Sequence, residues 1–305
     1  VRITIVARSK TDRTWPVLSV LAAEFSRYEE KLKVTLLAPD NAGAAHQKQL
    51  IESLTPSDAD VACVDPLDPL ALGPVVADLV TRGVPVVLIG RDIPGSSRSA
   101  FCGPSEFELG KAAALAAGRI THGRSNSIML LHAGSSEETA ATRLAGFKQG
   151  FPLIGGLRLL KEVNCNGESL LAEELVKSES HRYPRVAGWV FLGEWPLRAV
   201  SGREQPLHPG LGAVLCSTDT AWYPQLRDGR IDALLGYDYR RAVEEALFAA
   251  QRIAQSATRG FAPEINIPPE VITRGDLPTW EQRWRDWARR DGAPAPAASR
   301  PAGSP

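Results

Sequence analysis

The sequence is poor in several things, and each shortage excludes a class of protein. Four cysteines in 305 residues are too few for a disulfide scaffold. Charge of one sign is not in excess: 35 Lys and Arg balance 35 Asp and Glu, for a formal net charge of zero. A protein that coats nucleic acid or a polybasic membrane binder needs a basic surplus, so neither fits. Uninterrupted apolar runs stay short of the ~18–20 residues that a membrane span requires. The five histidines (His46, His122, His132, His181, His208) are scattered without H-x-x-x-H spacing, so no metal site is expected. Residues 103–111 (GPSEFELGK) have the wrong spacing for a phosphate loop, and Ala112 follows the lysine. No G-x-S-x-G elbow occurs, and no base and nucleophile are set up as a pair, so a non-catalytic protein without a cofactor is expected. Methionine occurs once, at Met129, and the chain opens on Val1 in a strand-like run. A processed or trimmed N-terminus is the expectation.

What is present is an alternation. Short apolar, β-branched runs lie at 2–7, 33–38, 61–64, 85–89, 99–102, 127–132, 157–163, 187–192, 213–216 and 231–235. Helix-like stretches separate them, at 16–29, 44–54, 70–82, 107–120, 138–150, 168–179, 221–227 and 239–257. Near-continuous apolar runs suit parallel strands covered on both faces. Strand–helix alternation implies doubly wound α/β sheets with right-handed crossovers. The ten runs divide five and five near residues 103–107, which predicts two Rossmann-like lobes. Trp280, Trp284 and Trp287 fall on one face of a terminal helix expected to dock on a lobe, with Thr279 as its N-cap. Residues 291–305, rich in Pro and Ala, read as a disordered tail. Cys63, Cys102 and Cys216 fall in strands as small buried groups, whereas Cys165 falls in a loop open to solvent.

Six stretches in order then carry a resemblance. They are SKTDRTW (9–15), DPLDPLALGP (65–74), VVADLVTRGVPVVLI (75–89), GRDIPGSSRSAFCGPSEFELG (90–110), RLAGF (143–147) and LRDGRI (226–231). Together they resemble the type I periplasmic binding proteins of ABC transporters, the ribose- and galactose-binding group, whose fold lac-repressor-type effector domains share. The resemblance implies two α/β lobes joined by a three-segment hinge, with crossings near 102–105, 237–239 and 266–269. One lobe would hold 1–103 plus 239–267, the other 104–238 plus 268–290. A sugar or sugar-like solute would bind in the cleft at the strand C-termini, and the lobes would close around it. The implied partners are that small molecule and a membrane permease, with no nucleic acid. The implied protein is a monomer outside the cytoplasm, in the periplasm or on a lipid anchor. The alternative is a ligand-sensing effector domain of a regulator. A signal peptide ahead of Val1 would favour transport, and a DNA-binding segment regulation.

A sugar needs planar groups that donate and accept in pairs, and a ring for its C–H face. The expected strand ends supply both. After the first come Asp12, Arg13 and Trp15; after the third, Asp65; after the fourth, Arg91 and Asp92. After the sixth come Glu137 and Arg143; after the eighth, Glu194 and Trp195; after the ninth, Asp219 and Trp222; after the tenth, Tyr237. The resemblance gives an aromatic stacking role to Trp15 and a sugar-binding role to Arg143. Asp65 and Asp219 read equally well as turn or N-cap residues; the plain alternative for Arg91 and Asp92 is a solvated turn, over which the resemblance favours the site, and for Tyr237 it is hinge packing. The sequence departs from the family at Gly90, where many relatives carry Asp. It departs again at 104–106, at Asp12–Arg13, and at Tyr237, which replaces a common Gln. The arginines either balance the carboxylates within the site or serve a charged ligand such as a sugar acid or phosphate.

Overall fold

The structure is a computed structural model of the chain and describes all residues except 29–30, 121–124, 135–137, 194–209, 257–262 and 290–305. The first half alternates as expected: β1 (Arg2–Val6), α1 (Thr14–Tyr28), β2 (Lys33–Leu37), α2 (Ala44–Ser53), β3 (Val61–Val64), α3 (Pro69–Thr81), β4 (Val86–Ile89) and β5 (Ala100–Gly103). The second half repeats the pattern: α4 (Glu106–Ala117), β6 (Ser127–His132), α5 (Glu138–Gly150), β7 (Arg158–Asn164), α6 (Ser169–Arg182), β8 (Gly188–Phe191) and β9 (Gly212–Leu215). A 3₁₀ turn (Thr220–Trp222) and α7 (Tyr223–Arg227) lead to β10 (Ala233–Tyr237). Then come α8 (Tyr239–Ala254), β11 (Glu264–Asn266), β12 (Pro269–Thr273) and α9 (Leu277–Trp287).

Two six-stranded sheets result, in the orders β11-β5-β4-β3-β1-β2 and β12-β10-β9-β8-β6-β7. All pairings are parallel except β10 with β12, where Ala233 faces Thr273 and Tyr237 faces Pro269. The central strands VACV, VVLI and AFCG of the first sheet and SIMLLH of the second are buried along their whole length, as helices on both faces demand. Helix starts follow local chemistry. Asp68 caps α3 through its Oδ1, which accepts from Ala71 N–H at 3.1 Å, and Pro69 opens the helix, where a missing N–H costs nothing. Asp238 caps α8 in the same way, accepting from Arg241 N–H at 2.9 Å.

The described residues hold twelve strands, two more than the ten expected. β11 is three residues long and half-exposed, and β12 is an edge strand bounded by Pro268 and Pro269. Proline is tolerated at a sheet edge but hides the strand in a sequence pattern. These two strands matter because they complete the hinge. The chain passes between sheets from Gly103 to Glu106, from Tyr237 to Tyr239 and from Asn266 to Pro269. After the first passage α4 packs on β9, β10 and β12; after the second, α8 packs back on β3, β4 and β5. The fold is therefore two mainly parallel, doubly wound lobes joined by three segments.

Smaller expectations also change. Thr279 lies inside α9, whose first residue is Leu277; Asp276 precedes it and bonds Thr273 instead. Cys165 is buried, its thiol 3.4 Å from the His132 carbonyl oxygen, because the loop after β7 folds back on β6. The tail 291–305 lies outside the described residues.

Candidate functional site

In the first lobe the strand ends carry a buried ionic cluster. Asp65, at the end of β3, is fully buried. Its Oδ1 accepts from Arg8 Nε at 2.9 Å and lies 2.8 Å from Arg8 Nη2, and its Oδ2 accepts from the Tyr239 hydroxyl at 2.7 Å. Burial pushes the Asp65 carboxyl above the usual carboxylate range, while Arg8 and Tyr239 pull it back; all its bonded partners are donors, the geometry of an ionised carboxylate. Burial works against the Arg8 charge, but Asp65 outweighs it with the help of neighbours, so the guanidinium is held firmly protonated. Burial and then Asp65 push the Tyr239 phenol well up. Gln47 fixes the backbone beyond β3: its Nε2 donates to Asp65 O at 2.7 Å and its Oε1 accepts from Leu67 N–H at 2.9 Å.

Tyr237 reaches into this cluster from the second sheet. Its hydroxyl sits against Gly90, where a Cβ would come within 2.4 Å of it and 3.8 Å of Arg8 Nη2. Gly90 also has φ +74°, so two constraints demand glycine there. The departure at Gly90 and the departure at Tyr237 are thus one feature: the large ring at 237 takes the space above a residue without a side chain. Arg91 Nη1 donates to the Leu67 carbonyl at 3.0 Å. The Asp92 carboxylate accepts from Arg98 through both nitrogens, Nη2 at 2.7 Å, and from Ile93 N–H at 2.8 Å.

The second lobe presents Arg143 from the second turn of α5. Its Nε donates to Glu106 Oε2 at 2.6 Å, its Nη2 lies 2.5 Å from the same oxygen, and its Nη1 donates to the Leu192 carbonyl at 2.5 Å. The rest of RLAGF explains how it gets there. A Cβ on Gly146 would lie 1.9 Å from the Phe107 carbonyl oxygen, and one on Gly110 would lie 1.8 Å from the Arg143 carbonyl oxygen. The two helices cross through these glycines at backbone contact, and Phe147 is fully buried beneath them. Beside the pair, burial pushes the Cys216 thiol up to about 12.

Other expected residues have local or cross-lobe duties. Asp12 Oδ1 accepts from Thr14 N–H at 2.8 Å and from its hydroxyl at 2.6 Å, which starts α1. Asp219 Oδ1 accepts from Ala221 N–H at 2.9 Å, the cap of the 3₁₀ turn. Trp15 is half-buried against the core. Arg13 crosses to the other lobe, donating from Nη1 to Tyr223 Oη at 2.7 Å and to the Thr218 carbonyl. Glu137, Glu194 and Trp195 lie outside the described residues. Arg8 and Glu106 were missed by sequence reasoning. Arg8 stood too close to its strand to be counted as a loop residue. Glu106 was noticed only as a departure from the family at 104–106.

Between the lobes runs a cleft of about 360 Å³, within the range that takes small ligands. Asp92, Arg98, Phe101, Glu264 and Asn266 line it from the first lobe and Ser105, Glu106, Thr139 and Thr142 from the second. Among the described residues Asp92 is the one expected residue in that lining; Arg143 meets it through Glu106. A second hollow of about 390 Å³ lies by Arg2, Lys33 and Asp58, at the strand starts, where doubly wound sheets do not place ligands.

Residues 7–258 match the model of the periplasmic binding protein domain. The chain belongs to the periplasmic binding protein family. Several binding proteins of known structure share its fold. The arabinose-binding protein AraP of Geobacillus stearothermophilus superposes with a TM-score of 0.71 at 16% identity, over 91% of this chain and 98% of that one. An ABC transporter solute-binding protein of Burkholderia graminis C4D1M, in complex with D-arabinose, gives 0.66 at 16% identity, over 91% and 96%. One from Bacillus halodurans C-125 with bound myo-inositol gives 0.64 at 14% identity, over 92% and 97%. No curated protein matches the sequence.

Proposed function

We propose that this periplasmic binding protein is the solute-binding component of an ABC-type importer and takes a neutral sugar or sugar-like polyol in the inter-lobe cleft. The observation that carries the choice of a neutral ligand is the pairing of cations and carboxylates. Arg8 meets Asp65, Arg98 meets Asp92 and Arg143 meets Glu106. Each pair offers a planar donor edge beside an acceptor, which is what a hydroxyl that both gives and takes a hydrogen bond requires. Each pair is also electrically balanced before the ligand arrives, so a neutral guest leaves no buried charge unmet. D-arabinose and myo-inositol in relatives of the same fold support the reading.

In this reading the lobes are 1–103 plus 239–267 and 104–238 plus 268–290. The ligand acts on their closure by its differential affinity for the closed state. Arg143 and Asp92 hold the solute, with Trp15, Arg91 and Tyr237 bounding its space. The protein works outside the cytoplasm, delivers the solute to a membrane permease and carries out no reaction on it.

A thermal-shift screen tests the ligand class. D-arabinose, D-allose and myo-inositol stand on one arm, D-galacturonate and D-ribose 5-phosphate on the other. A true ligand at 100 times its Kd stabilises by about 2.7 kcal/mol. Stabilisation on the neutral arm is expected; stabilisation by the anions alone would overturn the neutral assignment.

A further inference from the structure

No described residue of the tryptophan-rich helix α9 lines the inter-lobe cleft, yet the helix stands where the lobes meet. Trp280 and Trp287 are buried, and Trp284 is half-buried. Arg283 fastens the helix to β12 and to the hinge, with bonds to Glu270 at 2.6 and 3.0 Å and to Asp238 at 3.3 Å. Trp280 Nε1 donates to Tyr223 Oη at 2.9 Å, which ties α9 to the start of α7. The other side of the helix faces the first lobe: the Trp284 ring stacks on Tyr239, with centroids 5.6 Å apart and planes 21° from parallel.

Arg13 joins this assembly from the start of α1. Its guanidinium carbon lies 3.7 Å from the centroid of the Trp284 ring. One nitrogen of the same group donates to Tyr223 Oη and to the Thr218 carbonyl. The three contacts of Arg13 and the Trp284–Tyr239 stack run from the first lobe to the second, and none needs a ligand. Hydrogen bonds weaken steeply with stretching and misalignment, so a lobe motion that draws Arg13 away from Tyr223 and Thr218 loses them.

We propose that the lobe arrangement of this structure is the closed one and that Arg13 is a positioning residue for it: gripped by Tyr223, Thr218 and the α9 indole of Trp284, it favours closure before solute arrives. It acts on affinity through the closed fraction rather than by touching the solute. The apparent Kd is the intrinsic one divided by the fraction of competent molecules, so a latch of this kind shifts affinity for all ligands by one factor. The inference rests on the lobe closure proposed above but not on the identity of the solute.

The test is a distance measurement without any sugar. Spin labels at Lys48→Cys on α2 and Lys177→Cys on α6, both half-exposed, report lobe separation by double electron–electron resonance. The four native cysteines are buried. In Arg13→Gln the ratio of closed to open molecules is expected to fall roughly tenfold, the effect of one charge-assisted hydrogen bond. Tyr223→Phe, which removes only a hydroxyl, is expected to shift the distances the same way and serves if Arg13→Gln folds poorly. Unchanged distances in both variants would overturn the proposal. Calorimetry with D-arabinose and D-allose supplies the second readout. Equal fold-losses in Arg13→Gln support a latch, and unequal ones would make Arg13 a ligand contact instead. Because the distances are measured without solute, a failure of the sugar assignment and a failure of the latch are seen separately.

Discussion

Arg143, in the second turn of α5, and Arg13, just before α1, sit on opposite lobes, and both were expected in the ligand site; their surroundings differ in how each finds its partners. Arg143 belongs to a stretch in which Gly146 and Phe147 also have a local reason. Gly146 and Gly110 allow the helix crossing, Phe147 anchors it, and Glu106, the first residue of α4, is brought beside the guanidinium by that crossing. Arg13 has partners 205 and 210 positions away, on a loop and a short helix of the other lobe, and a third on α9. A short pattern can encode the first arrangement. The second exists only once the chain has crossed the hinge three times.

The comparison can be broken most forcefully at the buried pair that underlies the first lobe. Asp65→Ala leaves Arg8 almost buried and without its carboxylate, and should cost about 3–5 kcal/mol in urea unfolding. A loss under 1 kcal/mol would mean that the cluster tolerates an unpaired guanidinium and that the pairing argument for a neutral ligand is unsound. Next comes the helix crossing. Gly146→Ala puts a methyl group against the Phe107 carbonyl, so the helices must part at a cost of about 1–3 kcal/mol. Arg143 should move with them, and solute affinity should fall beyond what lost stability explains. Stability lost with affinity intact would separate the packing half of RLAGF from its binding half.

A smaller effect distinguishes a cap from a contact. Asp219→Ala should cost about 1 kcal/mol of stability through the lost cap and leave solute affinity unchanged in calorimetry. A fall in affinity would make Asp219 a ligand contact as well as a cap. The smallest effect concerns pH. Burial holds the His132 imidazole below its ordinary range, against the pull of Glu162. The unfolded chain then binds the proton more readily, so stability should be full above the ordinary imidazole range and decline as pH falls through it. His132→Gln should flatten that slope in thermal unfolding curves; an unchanged slope would assign it to other groups.

How far the sequence reached follows from the same contrast. The lobes were legible because buried parallel strands are written as unbroken apolar runs, as in VACV and SIMLLH. β11 and β12 were not, because an edge strand beside two prolines needs no such run. Among the candidate site residues, Asp92 and Arg143 were named from strand ends and the family pattern, and Tyr237 from a strand end where the sequence departs from that pattern. Their partners could not be, since Arg98, Glu106 and Gly90 come together with them only through loop closure and helix crossing. Arg8 escaped because side chains one or two residues past a strand still point along it, and only Asp65 on a neighbouring strand reveals its role.

The central claim is that a neutral solute is held between the lobes with Arg143 as a principal donor, and calorimetry on wild type and Arg143→Ala with the best neutral sugar of the screen tests it most directly. The account predicts a loss of at least about 1.5 kcal/mol, the low end for a charge-assisted hydrogen bond, with the native fold retained. Unchanged affinity in a folded variant would contradict it.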